Sequence, residues 1–284
     1  MRIGINSDCE CGNATVETFK KFKDAGFTDV MVAAKFGSLA EAIKNARAVG
    51  LGIPFVHLSY KNLNDLWAKG EFCLEVIENT CAEIEICGRN NIPIAVMHVN
   101  CGKGTNIALA PSRHAIDNMN KILEVAKENN VKIAVENLTG ETSGHYKYLL
   151  DNIDSQWLGL CYDCGHHHLY ETDFPLVEKY SDRIIAVHIH DNMMDWEPGW
   201  DVTKDVHYLP GDGKIDFEEV FSQLAKTNYD GCIVFELHRN IGRKGPSNNK
   251  YSHLTVEKFL QRAFVVCSKL LAGNKGNGYT RRQT

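Results

Sequence analysis

The sequence lacks the features of several classes of protein. No apolar run approaches the ~20 residues that a membrane-spanning helix requires. The N-terminal segment MRIGINSDCECG has a single arginine and no long apolar stretch, which argues against a signal peptide. Lysine and arginine total 31 against 36 aspartate and glutamate, so the basic excess typical of nucleic-acid-binding proteins is missing. These absences predict a cytoplasmic protein that acts neither at membranes nor on nucleic acid.

What is present is the composition of an ordinary globular protein. The 284 residues are 44% hydrophobic and 24% charged, enough to bury a large core. Ten cysteines are scattered along the chain, and without a signal peptide we expect them to be reduced thiols. Cys161 and Cys164 have the spacing of a zinc or redox pair, but no second pair completes a four-thiolate site. We therefore expect these two cysteines to be packed in the core.

Short apolar runs of β type alternate with longer segments of helical period along the whole chain. The predicted strands are Ile3–Asn6, Asp29–Ala33, Ile53–His57, Ile94–His98, Lys132–Glu136, Leu158–Asp163, Arg183–His188 and Gly231–Glu236. The helix predicted after the sixth strand spans Leu169 to Tyr180, and the last helix ends near Leu271. Eight strand-helix units without a linker predict an α/β protein with one (β/α)₈ TIM barrel over residues 1–272, followed by a flexible tail over 273–284.

Metal-capable side chains end six of the eight predicted strands. In a (β/α)₈ barrel the carboxyl ends of the strands form the catalytic face, so residues distant in sequence converge there. Several carboxylates buried together would cost several kcal/mol per uncompensated charge, a cost that a divalent cation removes. A metal site is therefore the leading interpretation. The six residues are His57, His98, Glu136, Asp163, His188 and Glu236.

Two further segments add candidates to the same face. His166 follows Asp163 by three residues, and of the run His166-His167-His168 we expect only the first to face the pocket. Asp205 and His207 are two residues apart, so in an extended segment they point to the same side. A turn stabilised by hydrogen bonds to aspartate is an equally good explanation of this second segment.

These motifs resemble those of the xylose-isomerase-like barrel superfamily, particularly its sugar phosphate isomerase/epimerase branch. The matching segments are AVEN at Glu136, YDCGH at Asp163 and His166, VHIHDN at His188, DVHYLPGDGKIDF, and FELH at Glu236. The resemblance implies that one divalent ion (Mn, Co, Zn or Mg) is bound by Glu136, Asp163, His188 and Glu236. It also implies that His166 contacts a substrate oxygen.

The function that the resemblance implies is isomerisation or epimerisation of a sugar, keto-sugar or related polyol. This chemistry removes a proton next to a carbonyl and forms an enediolate, which a metal stabilises. Glu136 and Glu236 are the expected acid/base pair. The residues expected to contact this carbohydrate are His57, His98, His166, His207, Trp67 and Trp196. A homo-oligomer is compatible with the sequence, and cationic residues at His238-Arg239 leave open whether the substrate is phosphorylated.

Three other functions share some of these features. A lyase or dehydratase acting on a keto-sugar or keto-inositol begins with the same proton abstraction and then expels a β-substituent. Abasic-site endonucleases of the superfamily hold three zinc ions with nine side chains, and this sequence has a candidate for each of them. A non-catalytic binding module is a third possibility, although it would not require Glu136 and Glu236.

Overall fold

The computed structural model describes residues 2–9, 14–34, 38–100, 110–138, 143–193, 205–239 and 250–274. These residues form one closed barrel of parallel strands in the order in which they occur along the chain, and strand one pairs with strand eight. The predicted TIM barrel is therefore confirmed. The strands are β1 (Ile3–Asn6), β2 (Asp29–Ala33), β3 (Val56–His57), β4 (Ile94–Met97), β5 (Lys132–Glu136), β6 (Leu158–Asp163), β7 (Ile184–Ile189) and β8 (Ile233–Phe235).

Helices between the strands cover the outside of the barrel. Their ends follow ordinary capping chemistry: the Thr15 hydroxyl accepts a hydrogen bond from the N–H of Thr18 at the start of the first helix, and Gly26 ends it with φ of 112°. The α-helices are α1 (Val16–Ala25), α2 (Leu39–Ala48), α3 (Leu74–Arg89), α4 (Arg113–Glu128), α5 (Ser143–Asn152), α6 (Cys164–Tyr170), α7 (Leu176–Lys179), α8 (Phe217–Ala225) and α9 (Val256–Gly273).

Two separate clusters of buried side chains make up the core. The larger one fills the space between the strands and the helices, and it includes Phe19 and Phe22 of α1. The smaller one lies inside the barrel and is formed by Met31, Phe55, Val96, Ala134, Cys161, Ala186, Cys232 and Val234. The polar side chains at the strand ends lie directly above this inner layer.

The structure corrects several predicted boundaries. The helix expected over Leu169–Tyr180 is instead two helices. The Asp163 carboxylate caps the start of α6 by accepting the N–H of His166, and Pro175, which has no N–H for a helical hydrogen bond, directly precedes α7. The third strand is shorter than predicted, since Pro54 has no N–H to contribute to a ladder. Helix α9 continues through Gly273, two residues beyond its predicted end. Residues 275–284 lie outside the described part, so the flexible tail stays a prediction.

Two remaining predictions concern cysteines and membranes. Seven cysteines in the described segments are free thiols: Cys73, Cys81, Cys87, Cys161, Cys164, Cys232 and Cys267. Cys161 lies in the inner layer, whereas the Cys164 thiol donates to the carbonyl oxygen of His190, so the two do not form a pair. Among the described residues, no helix is both long enough and apolar enough to span a membrane. The cytoplasmic location and the oligomeric state stay predictions.

Candidate metal centre and acid/base site

The polar side chains predicted at the strand ends form a layer directly above the inner core. Each of them follows an inner-layer residue by two positions along the chain, which is the period of an extended segment. The six pairs are Phe55 and His57, Val96 and His98, Ala134 and Glu136, Cys161 and Asp163, Ala186 and His188, and Val234 and Glu236. In all six segments, therefore, the inner apolar side chain and the polar side chain that follows it point to the same side of the barrel wall.

The four side chains predicted to bind metal converge on one point. Glu136, Asp163, His188 and Glu236 each offer one ligand atom, and these atoms all lie within 4.8 Å of one another. The Nδ1 atom of His188 lies 3.6 Å from Glu136 Oε2, 3.6 Å from Asp163 Oδ2 and 3.3 Å from Glu236 Oε2. His188 is fully buried, and neither of its ring nitrogens has a hydrogen-bond partner among the described residues.

This donor set fits a divalent cation. Burying three carboxylates beside an imidazole that makes no hydrogen bonds would cost free energy unless a positive charge were present. Burial raises the pKa of Glu136 and of Glu236, but neighbouring histidines outweigh it and hold both pKa values well below the ordinary range. Both groups are therefore carboxylates, the form that binds metal and accepts protons. Mixed imidazole and carboxylate ligands are typical of Mn²⁺, Co²⁺, Zn²⁺ and Mg²⁺ sites.

Two further histidines contact the carboxylate of Glu136. His57 Nε2 and His98 Nε2 lie 3.2 Å and 3.3 Å from Glu136 Oε2, and 3.2 Å from each other. His57 donates its Nδ1 hydrogen to the carbonyl oxygen of Leu58, which directs Nε2 toward the carboxylate. The ring of Tyr60 stacks on that of His98 at a centroid distance of 5.7 Å, and Tyr60 is 42% exposed. Sequence analysis did not single out Tyr60.

A second group of polar side chains lies beside the metal ligands. Asp205 joins two histidines: its Oδ2 lies 3.4 Å from His166 Nε2, and its Oδ1 lies 3.1 Å from His207 Nε2. His166 also contacts Glu136, with Nδ1 3.2 Å from Oε1. His207 donates through Nδ1 to the carbonyl oxygen of Glu236. Burial lowers the pKa of His207, but Asp205 and Glu236 outweigh it and raise the pKa to about 9.

His190 belongs to this group and was missed in the sequence. Its Nε2 lies 2.9 Å and 3.1 Å from the two carboxylate oxygens of Asp163, and its ring stacks on that of His207 with centroids 3.8 Å apart. The signal that identifies it is the strand period, because His190 stands two residues after His188. His166, His190, Asp205 and His207 form a second buried group with ligand atoms within 4.8 Å of one another.

The structure differs from the prediction at Trp67 and shows which groups the Arg239 side chain contacts. Trp67 is 1% exposed, and its indole N–H donates to the carbonyl oxygen of Val99, so it packs in the core instead of facing the pocket. The Arg239 guanidinium donates to the carbonyl oxygens of Ser252 and Leu254. Trp196 lies outside the described residues, and its predicted contact with substrate stays a prediction.

Comparison with known proteins identifies the family. The sequence profile of the xylose isomerase-like TIM barrel matches residues 15–254. The chain belongs to this family. Its resemblance to the superfamily, predicted from the motifs, is thus confirmed.

Relatives of this xylose isomerase-like barrel include proteins with and without a named activity. It is 30% identical over 198 residues to the uncharacterized protein y4fM of Sinorhizobium fredii, a match that covers 65% of this chain and 59% of the relative. It is 31% identical over 168 residues to an inosose dehydratase of Clostridium tetani, covering 52% and 53% of the two chains. The matched regions thus span little more than half the length of these relatives.

Solved structures with similar folds cover nearly the whole chain. A D-tagatose 3-epimerase-like protein has a TM-score of 0.71 and 21% identity, with 99% of both chains covered. A D-psicose 3-epimerase from Clostridium cellulolyticum H10, solved with D-tagatose, has a TM-score of 0.75 and 15% identity, covering 98% of this chain and 99% of its own. At these identities the similarity is one of fold.

Proposed function

We propose that this protein is a divalent-metal-dependent isomerase or epimerase of a sugar, keto-sugar or related polyol. The observation that carries the proposal is the proximity of two carboxylates to a common atom: Glu136 Oε2 and Glu236 Oε2 lie 3.6 and 3.3 Å from His188 Nδ1. The names of its similar structures, D-psicose and D-tagatose 3-epimerases, support a keto-sugar as substrate.

The proposed reaction needs a base and an acid at one carbon. One carboxylate accepts the proton next to the carbonyl, which leaves an enediolate, and the other, after it has taken a proton from solvent, gives that proton to the opposite face. A divalent ion held by Glu136, Asp163, His188 and Glu236 would polarise the carbonyl. His166 and His207, which hold Asp205 between them at the side of the site, are the histidines proposed to contact substrate hydroxyls there.

A dehydratase acting on a keto-polyol is the second candidate. The inosose dehydratase of Clostridium tetani supports it, since the chain is 31% identical to that protein over the matched region. The same carboxylate would take the proton next to the carbonyl, and a hydroxyl on the β-carbon would leave as water after taking a proton from a second group. His57, His98 and His166 each lie within 3.3 Å of a Glu136 carboxylate oxygen, so a second group is available for either outcome.

The experiment that separates these functions has two stages. Purified protein is first analysed for metal content, together with Glu236→Gln and, as a matched control, Glu178→Gln on the exposed surface of α7. About one equivalent of metal, lost only in Glu236→Gln, is the expected result. No metal after metal-replete purification would contradict the proposal.

The second stage incubates the loaded protein with D-tagatose, D-fructose or an inosose in D₂O and follows the products by NMR. An epimerase or isomerase gives an isomer that carries deuterium at the reacting carbon. A dehydratase gives a product that has lost water. Neither outcome with any keto-sugar or keto-polyol would contradict both candidates.

An endonuclease is favoured by one observation, the additional groups of potential ligands. His57, His98 and Glu136 form one such group, and His166, His190, Asp205 and His207 form another. Two or three zinc ions per chain, together with cleavage of abasic DNA, would replace the isomerase proposal with this one.

A further inference from the structure

His190 lies at the junction of the two parts of the site. On one side its Nε2 hydrogen bonds to both carboxylate oxygens of Asp163, at 2.9 and 3.1 Å. On the other side its ring lies nearly parallel to that of His207, at an interplanar angle of 9°. The side chain is fully buried, and its Nδ1 has no hydrogen-bond partner in the described part of the chain. The N–H group that His190 directs at the Asp163 carboxylate is therefore the one on Nε2.

The position of the His190 ring is fixed by the backbone of α6. A Cβ atom at Gly165 would lie 2.0 Å from Cε1 of His190 and 2.5 Å from each ring nitrogen, so the ring occupies space that only glycine leaves. The neighbouring Cys164 thiol donates to the carbonyl oxygen of His190. Together with the stack on His207, these contacts leave the ring one orientation, with Nε2 toward Asp163.

Asp163 is held from several directions, and among the described residues His190 is the one side chain that hydrogen bonds to both of its oxygens. Oδ1 accepts the N–H of His166 at 2.8 Å. The amide side chain of Asn137 fixes the backbone of Asp163, since it accepts from the N–H and donates to the carbonyl oxygen. Oδ2 faces His188 Nδ1 at 3.6 Å, toward the other predicted ligands. The hydrogen bonds from His190 restrict rotation of the Asp163 carboxylate while Oδ2 points toward the other predicted ligands.

We propose that His190 is a positioning residue that orients the Asp163 carboxylate for metal binding. This inference rests on the proposed function, because it assumes that Asp163 is a ligand. Carboxylate ligands of metals are commonly oriented by such hydrogen bonds, and their loss typically weakens metal affinity about 10- to 100-fold. The geometry assigns that role to a residue which does not itself contact the proposed ion.

Two substitutions separate the hydrogen bond from the ring. His190→Phe keeps a flat ring that stacks on His207 but has no donor for Asp163. His190→Gln loses the ring but places its side-chain N–H₂ near the position of Nε2. We expect Mn²⁺ alone, titrated calorimetrically into metal-free protein, to bind about 10- to 100-fold more weakly to His190→Phe and within about threefold of wild type to His190→Gln. His168→Phe is the matched control, because His168 donates only to a backbone carbonyl, that of Cys164.

Urea unfolding establishes that each variant is folded before titration. If His190→Phe does not fold, His190→Asn takes its place: its shorter amide cannot reach Asp163, and it should bind Mn²⁺ as weakly. Wild-type affinity in His190→Phe or His190→Asn would overturn the role of His190 alone. Equal weakening in His190→Gln would also overturn it, since the donor is retained there. Failure of the wild type to bind Mn²⁺ would overturn both this inference and the proposed function.

Discussion

The carboxylate of Asp191 accepts a hydrogen bond at 3.0 Å from the backbone N–H of Ile215, which lies 24 residues further along the chain. The same carboxylate accepts from the N–H groups of Asn192, Gly211 and Gly213. The end of β7 is thereby joined to the segment that follows Asp205 and His207. One buried side chain thus fixes the backbone next to the segment that supplies Asp205 and His207 to the polar site.

Replacement of Asp191 by Asn should destabilise the protein and weaken catalysis. In the variant an N–H₂ group would face backbone N–H groups that donate to a carboxylate oxygen in the wild type. We therefore expect a loss of roughly 3 kcal/mol in the free energy of unfolding. Denaturant unfolding measures it. Asp216→Asn is the matched control, because Asp216 caps α8 and asparagine caps equally well. Equal stability of Asp191→Asn and wild type would contradict the structural role.

Gly165→Ala should be destabilising, although alanine is normally the better helix residue. Its Cβ would overlap the ring of His190, and such overpacking typically costs about 1–3 kcal/mol. Gly144→Ala in α5 meets no atom within 4 Å and should gain up to about 1 kcal/mol. The difference in melting temperature between the two variants measures the effect. A stabilised Gly165→Ala would show that His190 moves aside without cost.

Trp67→Phe should lower stability and leave substrate affinity unchanged. The smaller ring leaves the carbonyl oxygen of Val99 without its indole donor and opens space beside His145, whose ring lies 4.4 Å away. We expect a loss of roughly 1–3 kcal/mol in the free energy of unfolding. Urea unfolding and KM are the measurements. A raised KM with unchanged stability would restore Trp67 as a substrate-binding residue.

The stability of the metal-free protein should fall as the pH rises from neutrality. The pKa of His207 is about 9 in the fold against an ordinary value of 6.5, so its contribution is fully present below about pH 6.5 and is lost as the pH rises through 9. That contribution is roughly 3 kcal/mol by proton linkage. Thermal melts of chelator-treated protein between pH 6 and 10 test it.

Metal-loaded protein provides the contrast for the same melts. Protons compete with metal for imidazole and carboxylate ligands, so metal binding should offset the loss of stability as the pH rises. Parallel curves with and without Mn²⁺ would show that the buried histidines do not take part in metal binding.

The fold and the ring of site residues were predictable because they depend on local patterns. Apolar runs with a polar last residue identify strands whose ends share one face, and the positions of His57, Glu136 and Asp163 follow from them. Which of these groups contact each other depends on barrel closure, which the sequence does not display. The distance from His188 Nδ1 to Glu236 Oε2 is one example.

The errors have equally specific causes. Helix α6 begins at Cys164, before the predicted start at Leu169, and Gly165 in its first turn leaves space for the ring of His190. Trp67 was assigned to the pocket because it lies between a strand and a helix, but the 3₁₀ helix Leu63–Trp67 turns it into the core. The positive φ of His207, 49°, depends on the returning loop and has no sequence signal.

Closure of the barrel joins distant parts of the chain, since the Asn6 side chain accepts the backbone N–H of Leu237, 231 residues later. Glu136 ends β5 and Glu236 directly follows β8, so the two carboxylates come together only when the eighth strand has joined the barrel. A chain that lacks its last strand therefore cannot assemble the four-ligand group, however completely the first seven strands have folded.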